Sequence, residues 1–425
     1  MPPSKKVSAK NATQIRRFEA LINASKILNS TLDLDKLLSL ILDLATKNLK
    51  AARGTIYLID AEKQELWSKV LKGKELVEIR LPIGTGIAGH VAKTGKTINL
   101  KDAWKDKRFF SGFDLRTGFQ TRTMLCMPMR DRKGKSIGVF QILNKHHGTF
   151  DKDDESFLEA FSDHAALAIE NARLHHAIVE KERIEKEIEI AGAIQRRLLP
   201  KELPTFPGYE IDAMARPSKM VGGDYYDIIK LPGDKYAFVV ADVSGKGVPA
   251  ALLVSTLHAS LHAYIEGTLS LAELAAKLNL VVYNNTEPER YITVFLGLLD
   301  VLEGTFTYVN AGHNFPIIFK PQQRLVIPLT SGGLPFGMFD FAEFQQETIT
   351  LDKKDTLVLY TDGVTEAMNK SFKEYGEDRL LQTIERAGDK SASQVKEAVV
   401  SDVDKFVAGE PQSDDLTVMV LKRVA

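Results

Sequence analysis

The chain has 425 residues, enough for two or three domains, and its 56 lysines and arginines balance 56 aspartates and glutamates. A net charge of zero gives no reason to expect nucleic acid or an anionic membrane as a partner, and the single cysteine, Cys126, excludes an intrachain disulfide. Without an apolar signal sequence or a run of roughly 20 apolar residues, the chain is expected to be cytoplasmic.

The first part of the chain has the pattern of a small α/β domain over residues 20–172. We expect residues 1–19, which are polar and basic, to be disordered or frayed. Apolar residues at helical spacing then predict two helices between Phe18 and Leu49, broken by a cap at Ser30-Thr31. Later stretches predict an antiparallel sheet and a long helix from about Asp153. The predicted strands are Thr55–Ile59, Leu66–Val70, Val77–Leu81, Thr123–Met129 and Ser136–Leu143.

Three pieces of this part, IGTGIAGHVAKTGKTINLKDAW, GFQTRTMLCMP and IGVFQILNK, resemble the GAF domains of cyclic-nucleotide phosphodiesterases. The spaced signature of that subgroup is Asn144, Lys145, Phe150, Asp154 and Glu155. Its lysine and aspartate are expected to form an ion pair that braces the pocket from behind. The resemblance implies an α/β sensor domain.

The same resemblance implies a ligand pocket, with cAMP or cGMP as the expected ligand. Its lining residues would be Thr55, Ile87, Ala88, Phe110, Asp114, Thr117 and Thr121. Backbone amides at Ile87 and Ala88, where a helix starts, are suited to a cyclic phosphate. Lys72 stands where some members have an acidic residue that reads the base, so the preferred base stays open. A GAF domain that only packs or dimerises is the alternative.

Residues 173–204 are predicted to form a helical coiled-coil linker. Their seam alternates steps of three and four residues through Leu174, Ala177, Lys181, Ile184, Ile188, Ala191, Gln195 and Leu198. The seam predicts a homodimer, and packing of the helix within one chain is the alternative. Leu199-Pro200 should end the helix, because a residue before proline is biased away from helical backbone.

In the last part, aspartates recur at the ends of predicted strands. Asp242 follows the apolar run Tyr236–Val240, Asp362 follows the strand Thr356–Tyr360, Asp414 precedes an alternating strand and Asp224 follows a glycine pair. Four such carboxylates can neutralise two divalent cations, a kind of site that activates water near neutral pH and holds a phosphoryl group for attack. Taken alone, Asp242 fits an Asx turn equally well.

The ordered segments VGGDYYD, ADVSGKGVPAAL, YVNAGHNFP, LYTDGVTEA and SDDLTVMV resemble the PPM-type metal-dependent Ser/Thr phosphatases of the SpoIIE and RsbU branch. The resemblance implies that residues 205–425 form an α-β-β-α sandwich, so that the whole chain is an α+β multidomain protein. It implies two Mn²⁺ or Mg²⁺ ions and a catalytic, metal-binding set of aspartates. The implied ligands are Asp224, Asp242, the Val243 carbonyl, Asp362 and Asp414, with Asp415 an alternative to Asp414.

Three further expectations concern this part of the chain. His313 is expected to position a loop by hydrogen bonds, because a metal-activated water needs no histidine nucleophile. Arg216 or Lys219 is the nearest upstream cation for a substrate phosphate. Helices are predicted at Ala250–Glu266, Leu271–Asn285, Asp378–Ala387 and Ser393–Val407.

These patterns predict a sensor phosphatase that removes phosphate from a phosphoserine or phosphothreonine protein. The resemblance favours a phosphorylated anti-sigma-factor antagonist of a bacterial partner-switching pathway. An inactive scaffold that only binds partners is an alternative, but none of the four carboxylates is substituted. A nucleotide cyclase is a weaker alternative, because Tyr225 and Tyr226 follow Gly222-Gly223-Asp224 where a diguanylate cyclase needs acidic residues.

Overall fold

The computed structural model describes residues 19–28, 30–72, 75–267, 270–287 and 289–424. The expectation for the N-terminus therefore lies, apart from Glu19, outside the described residues. The chain separates into two compact units between Arg183 and Ile184. None of the described helices has both the length and the apolar character needed to cross a membrane.

The first unit is one antiparallel sheet with helices. Its strand order is β3-β2-β1-β6-β5-β4. The elements, in chain order, are α1 (19–28), α2 (Leu34–Leu49), β1 (Ala51–Asp60), β2 (Glu65–Lys72), β3 (Glu75–Pro82), α3 (Gly86–Thr94), β4 (Ile98–Leu100), α4 (Gly112–Thr117), β5 (Met124–Arg130), β6 (Ser136–Lys145) and α5 (Lys152–Gln195).

Both faces of this sheet are covered, as the alternating side chains of β6 show. Phe140 and Ile142 join a large apolar core with α1, α2 and the start of α5. Val139 and Leu143 face a smaller cluster with α3. The predicted cap at Ser30-Thr31 is wrong: α2 begins after Asp33, whose carboxylate accepts from the Lys36 backbone N–H at 3.0 Å.

The second unit has two five-stranded antiparallel sheets, sheet I (β14-β11-β10-β9-β8) and sheet II (β13-β12-β15-β16-β7). The strands are β7 (Tyr209–Arg216), β8 (Asp224–Leu231), β9 (Lys235–Val243), β10 (Ile292–Asp300), β11 (Thr305–Ala311), β12 (Ile317–Lys320), β13 (Leu325–Pro328), β14 (Glu347–Thr350), β15 (Thr356–Tyr360) and β16 (Leu416–Arg423). The helices are α6 (Val248–Tyr264), α7 (Leu271–Asn284), α8 (Asp362–Thr365), α9 (Glu377–Ala387) and α10 (Ala392–Val407).

The second unit is layered as helices, sheet I, sheet II and helices. In β9, Phe238 and Val240 face sheet II, whereas Val239 and Ala241 face α6 and α7. The other side of sheet II packs on α9 and α10. This arrangement confirms the predicted α-β-β-α sandwich, and the four predicted helices start and end within two residues of those observed.

The linker helix ends earlier than predicted. Helix α5 stops at Gln195, and residues 196–198 form a turn before Pro200. The Gln195 side chain donates to the Gly222 carbonyl at 2.7 Å and accepts from the Gly222 N–H at 3.0 Å. Leu198 and Leu199 leave the helix to pack on the cores of the second unit. These tertiary contacts end the helix before proline can.

Candidate active site and ligand pocket

The two sheets of the second unit bring the predicted aspartates to one end of the sandwich. Asp224 begins β8 and lies directly opposite Asp242 in the register of β8 and β9. In sheet II, Asp362 follows β15 while Asp414 precedes β16. Because β15 and β16 are paired neighbours, these two chain positions meet at the same sheet edge.

Asp224 joins the two sheets. One of its carboxylate oxygens accepts from Thr361 Oγ1 at 2.7 Å and from Thr417 Oγ1 at 2.6 Å, and both threonines belong to sheet II or border it. The Thr361 N–H in turn donates to the Thr417 carbonyl at 3.1 Å. The carboxylate is therefore fixed in position by both sheets.

The aspartates form a concentrated negative charge. Burial raises the pKa of Asp242, and so do the carboxylates of Asp224, Asp362 and Asp414. Burial likewise raises the pKa of Asp224 and of Asp362. Partly buried carboxylates that repel one another and offer only oxygen ligands suit a hard dication such as Mg²⁺ or Mn²⁺. The donor set therefore fits the predicted metals.

Close backbone approach explains the glycines of these motifs. A Cβ on Gly222 would stand 2.7 Å from Asp415 Oδ2, and a Cβ on Gly363 would stand 1.8 Å from the Asp415 carbonyl. Any side chain at Gly363 would push β16 away from α8. The Val243 carbonyl, a predicted ligand, would lie 3.1 Å from a Cβ on Gly223, so it borders the same loop.

The structure separates Asp414 from Asp415. Buried Asp415 accepts from the Ser218 N–H at 2.6 Å, from Ser218 Oγ at 2.9 Å and from the Gly223 N–H at 2.5 Å. Its oxygens are thus committed to holding the loop before β8. Asp414 is partly exposed and carries an ion pair with Lys246 Nζ at 2.8 Å.

Lys246 is a cation at the site that sequence reasoning missed. Its ammonium also donates to the Ser413 carbonyl at 2.7 Å, and its charge partly offsets the rise that burial causes in the pKa of Asp362. Its place in the loop between β9 and α6, one residue after Gly245, was the available signal. A phosphate contact of Arg216 stays a prediction, and in the structure its guanidinium pairs with Asp404 of α10 at 2.8 Å. Lys219 is exposed in the loop that precedes β8.

His313 occupies a buried, hydrogen-bonded position, as expected. Its ring Nδ1 lies 2.9 Å from Thr293 Oγ1, and its backbone N–H donates to the Asn310 side-chain oxygen at 2.8 Å. Burial lowers the pKa of His313 to about 4, so the ring is neutral at pH 7. Thr293 also lies opposite Asp242 in the register of β9 and β10, and His313 therefore supports the backbone at the site.

A cavity of about 260 Å³ lies in the first unit, on the sheet face opposite the large core. It is lined by six of the seven predicted residues, and the side chain of the seventh, Thr117, lies outside the described part. The six are Thr55, Ile87, Ala88, Phe110, Asp114 and Thr121. The start of α3 contributes Ile87 and Ala88, so the first backbone amides of that helix border the cavity.

The signature residues brace the cavity wall. Asn144 accepts from the Arg122 N–H at 2.6 Å and donates to the Gln120 carbonyl at 2.7 Å, on either side of Thr121. Lys145 and Asp154 form the predicted ion pair. Thr121 in turn donates through its N–H and its hydroxyl to Asp114, at 2.7 and 2.9 Å.

The lining residues that sequence reasoning missed include Arg53 and Phe119. The guanidinium carbon of Arg53 lies 4.6 Å from the centre of the Phe119 ring, a cation-π contact at the edge of the cavity. The position of Arg53 on β1, two residues before the predicted lining residue Thr55, was a weak signal. Phe119 lies in the quoted GFQTRTMLCMP segment.

Comparisons with known proteins agree with both units. The family model Stage II sporulation protein E (SpoIIE) matches residues 232–424, and the GAF domain model matches residues 33–169. The chain is 31% identical over 247 residues to Phosphoserine phosphatase RsbU of Bacillus subtilis (strain 168), a match that covers 57% of this chain and 72% of that protein.

Two further similarities concern a curated relative and a solved structure. Probable 3',5'-cyclic phosphodiesterase pde-5 of Caenorhabditis elegans is 32% identical over 171 residues, or 37% of this chain and 23% of that protein. The SiaA-PP2C domain of Pseudomonas aeruginosa superposes with a TM-score of 0.51 at 21% identity, covering 57% of this chain and 97% of that one, a likeness of fold. The chain therefore belongs to the RsbU- and SpoIIE-type family of PPM protein phosphatases and carries a GAF domain.

Proposed function

We propose that the chain is a metal-dependent protein serine/threonine phosphatase whose active site is the set of aspartates at the end of the sandwich. The observation that carries this proposal is the position of Asp224. Its carboxylate faces Asp242 across β8 and β9, and it accepts hydrogen bonds from Thr361, which precedes Asp362, and from Thr417, which follows Asp414 at the start of β16. Such an arrangement accounts for all four acidic motifs at once. A cyclase or a binding scaffold needs no such convergence.

Asp224, Asp242, the Val243 carbonyl, Asp362 and Asp414 would hold two Mn²⁺ or Mg²⁺ ions. When bound, these ions supply a water of lowered pKa and a positive charge for the phosphoryl group. Other residues of the chain position these ligands: Asp415 fixes the loop that precedes Asp224, and His313 supports the backbone around Asp242. Lys246, paired with Asp414, is the cation placed to orient a substrate phosphate.

The GAF domain is the proposed sensor, with a cyclic nucleotide as ligand. The cavity offers apolar faces from Ile87 and Phe110 for a purine, and hydrogen-bonding groups from Asp114 and Thr121. The amides at the start of α3, together with Arg53, suit a cyclic phosphate. Similarity to curated cyclic phosphodiesterases supports the same ligand class.

The end of α5 is the proposed connection between ligand and active site. Gln195 holds Gly222, two residues before Asp224, through two hydrogen bonds. Gly192 packs so closely that a Cβ there would stand 2.1 Å from the Met220 carbonyl. A movement of the end of α5 would therefore move the loop that positions Asp224. Whether ligand raises or lowers the rate depends on which arrangement binds ligand better.

The proposed substrate is a phosphorylated anti-sigma-factor antagonist, by analogy with the curated phosphoserine phosphatase RsbU. We further propose a cytoplasmic homodimer joined through the linker and the GAF domain. Several apolar side chains of α5 support a dimer because they are exposed, including Leu174 at 58% and Ile184 at 49%.

Release of phosphate from a phosphoserine protein, measured with Mn²⁺ and after chelation, tests the catalytic part. Asp242→Asn is expected to lower the rate more than about 100-fold, because it removes a metal ligand. Asp234→Asn is the matched control: it changes an exposed aspartate in the β8–β9 turn, and asparagine tolerates its φ of 54°. Full activity of Asp242→Asn, or metal-independent activity of the wild type, would sink the assignment.

A further inference from the structure

A second cluster of potential metal ligands lies on the helix-facing side of sheet I. His258 and His262 are one turn apart on α6 and therefore share a face of that helix, and Asp227 projects toward them from β8. One ligand atom from each of the three lies within 4.8 Å of the other two. Across the described ranges, no other group of three histidine, cysteine or acidic side chains meets that condition.

The cluster is separate from the aspartates of the active site. Asp227 and Asp224 are three residues apart on one strand, so their side chains lie on opposite faces of sheet I. Asp224 bonds to residues of sheet II, whereas Asp227 accepts from Tyr225, whose ring packs with the core under α6.

The three side chains already make close polar contacts. His262 Nε2 lies 2.7 Å from Asp227 Oδ2, and His258 Nδ1 lies 3.9 Å from the same oxygen. The Tyr225 hydroxyl is 2.7 Å from that oxygen and 2.9 Å from His258 Nδ1. Asp227 is buried, whereas the His262 side chain is 44% exposed, so the group opens to solvent on the His262 side.

We propose that Asp227, His258 and His262 bind a transition-metal dication, with Zn²⁺ as the best match. Two imidazoles and one carboxylate are the ligand types that Zn²⁺ takes when a fourth position is left to water. Mg²⁺ and Ca²⁺ prefer oxygen ligands alone and would not compete well for this site. Ligands that each lie about 2 Å from one ion are at most about 4 Å apart, so small rotations of the rings complete the set.

The charge state of the cluster favours binding. A ligating histidine must be unprotonated. Burial lowers the pKa of His258, the neighbouring His262 lowers it further, and Asp227 opposes both. The balance keeps His258 neutral at pH 7, and the buried carboxylate supplies the negative charge that attracts a cation.

A bound ion would tie α6 to β8. Helix α6 begins five residues after Val243, and β8 begins at Asp224, so both elements that meet at this ion start at the proposed active site. The expected consequence is a rise in thermal stability with Zn²⁺, because an ion that binds only the folded chain stabilises it by mass action. This consequence does not depend on phosphatase activity.

Calorimetric titration of the full chain with ZnCl₂ in excess Mg²⁺ tests the proposal, with the melting temperature as a second readout. We expect one Zn²⁺ per chain at this site, and His262→Ala should weaken it at least about tenfold. His262→Gln should weaken it similarly while keeping a hydrogen-bond donor for Asp227, which separates metal binding from simple hydrogen bonding. His164→Ala, an exposed helical histidine outside the cluster, should bind Zn²⁺ and gain stability as the wild type does.

Running the same titrations in an Asp242→Asn background weakens Zn²⁺ binding by the active-site aspartates, so that binding by the histidine cluster can be measured apart from it. One equivalent that persists in this background and is lost with either His262 substitution supports the site. Absence of Zn²⁺ binding in this background, or equal binding with and without His262, would overturn it.

Discussion

Asp242 lies among the other carboxylates of the active site. It is largely buried in β9, and the carboxylates of Asp224, Asp362 and Asp414 all act to keep it protonated. A carboxylate in such a place destabilises the fold unless a cation neutralises it. The stability of this site is therefore expected to depend on both metal and pH.

The sign of that dependence follows from the direction of the pKa shifts. Asp224 and Asp242 have pKa values above the ordinary 3.8 in the folded chain, so the folded metal-free protein binds more protons than the unfolded chain. Their contribution to stability is present below pH 3.8 and is lost as the pH rises through the raised values. Asp242→Asn removes the part of this loss that comes from Asp242.

We therefore predict that, in a chelator, Asp242→Asn melts at a higher temperature than the wild type, and that the gap widens from about pH 5 to about pH 8. Saturating Mn²⁺ should reverse the order, because only the wild type retains the full ligand set. Melting curves at several pH values, with and without Mn²⁺, check this. A metal-free variant that is less stable than the wild type at neutral pH would contradict the account.

At this scale the sequence predicted residue types well and individual partners poorly. The acidic motifs pointed to all four aspartates because each lies at a strand end, and Asp224, Asp242 and Asp362 also have a glycine within three residues. Lys246 was missed because nearness in sequence does not give nearness in space: its ammonium pairs with Asp414, which is far along the chain, whereas Arg216, chosen for its nearness in sequence, pairs with Asp404 of α10. The motif favoured Asp414 but left Asp415 as an alternative, because sequence does not show which loop the oxygens of two successive residues meet.

At the scale of elements, the last turn of α5 contacts the loop that precedes Asp224 in the phosphatase domain. Gln195 is bonded to Gly222, and Gly192 lies against the Met220 carbonyl. The predicted end at Leu199-Pro200 came from local backbone preference alone. The observed end is set by these contacts with the 220–222 loop, and such tertiary contacts cannot be predicted from the backbone preferences of neighbouring residues.

Gly192→Ala tests the importance of this close packing. Alanine normally stabilises a helix interior by about 0.5–1 kcal/mol relative to glycine. Here its Cβ would stand 2.1 Å from the Met220 carbonyl, so the helix or the loop must shift. We expect a melting temperature lower by about 2–4 °C and a reduced rate of phosphate release.

Glu189→Ala, an exposed position on the same helix, should leave both the melting temperature and the rate near their wild-type values. A Gly192→Ala protein that is more stable and equally active would mean that α5 does not press on the loop.

The exposed middle of α5 makes a prediction about assembly. Ile184 belongs to the seam and is 49% exposed, whereas Ile190 lies off the seam and is 62% exposed. If two copies of α5 pair along the seam, Ile184→Asp should raise the dimer dissociation constant at least about tenfold, because it buries a charge in the interface. Ile190→Asp should leave the dimer dissociation constant near the wild-type value.

Sedimentation equilibrium of both variants and the wild type measures these dissociation constants. A monomeric wild type, or equal effects of the two substitutions, would favour the alternative in which the helix serves a single chain.

At the scale of the whole molecule, fold prediction worked because the patterns are regular. The continuous apolar run of β9 predicts a strand that is buried on both faces, and the amphipathic pattern of α10 identifies its buried face. The cap of α2 at Asp33 was missed because Ser30 and Thr31 have the same capping chemistry a few residues earlier. The cluster of Asp227, His258 and His262 could not be found from spacing alone, since the partners lie on a strand and a helix.

The central claim is that a ligand of the GAF domain controls the phosphatase domain. The most direct test is the Mn²⁺-dependent rate of phosphate release from a phosphoserine protein, titrated separately with cAMP and with cGMP. We predict that activity requires metal, that one nucleotide changes the rate saturably, and that Asp114→Ala abolishes this response while leaving Mn²⁺-dependent release. A metal-dependent rate that neither nucleotide changes at any concentration would contradict the claim.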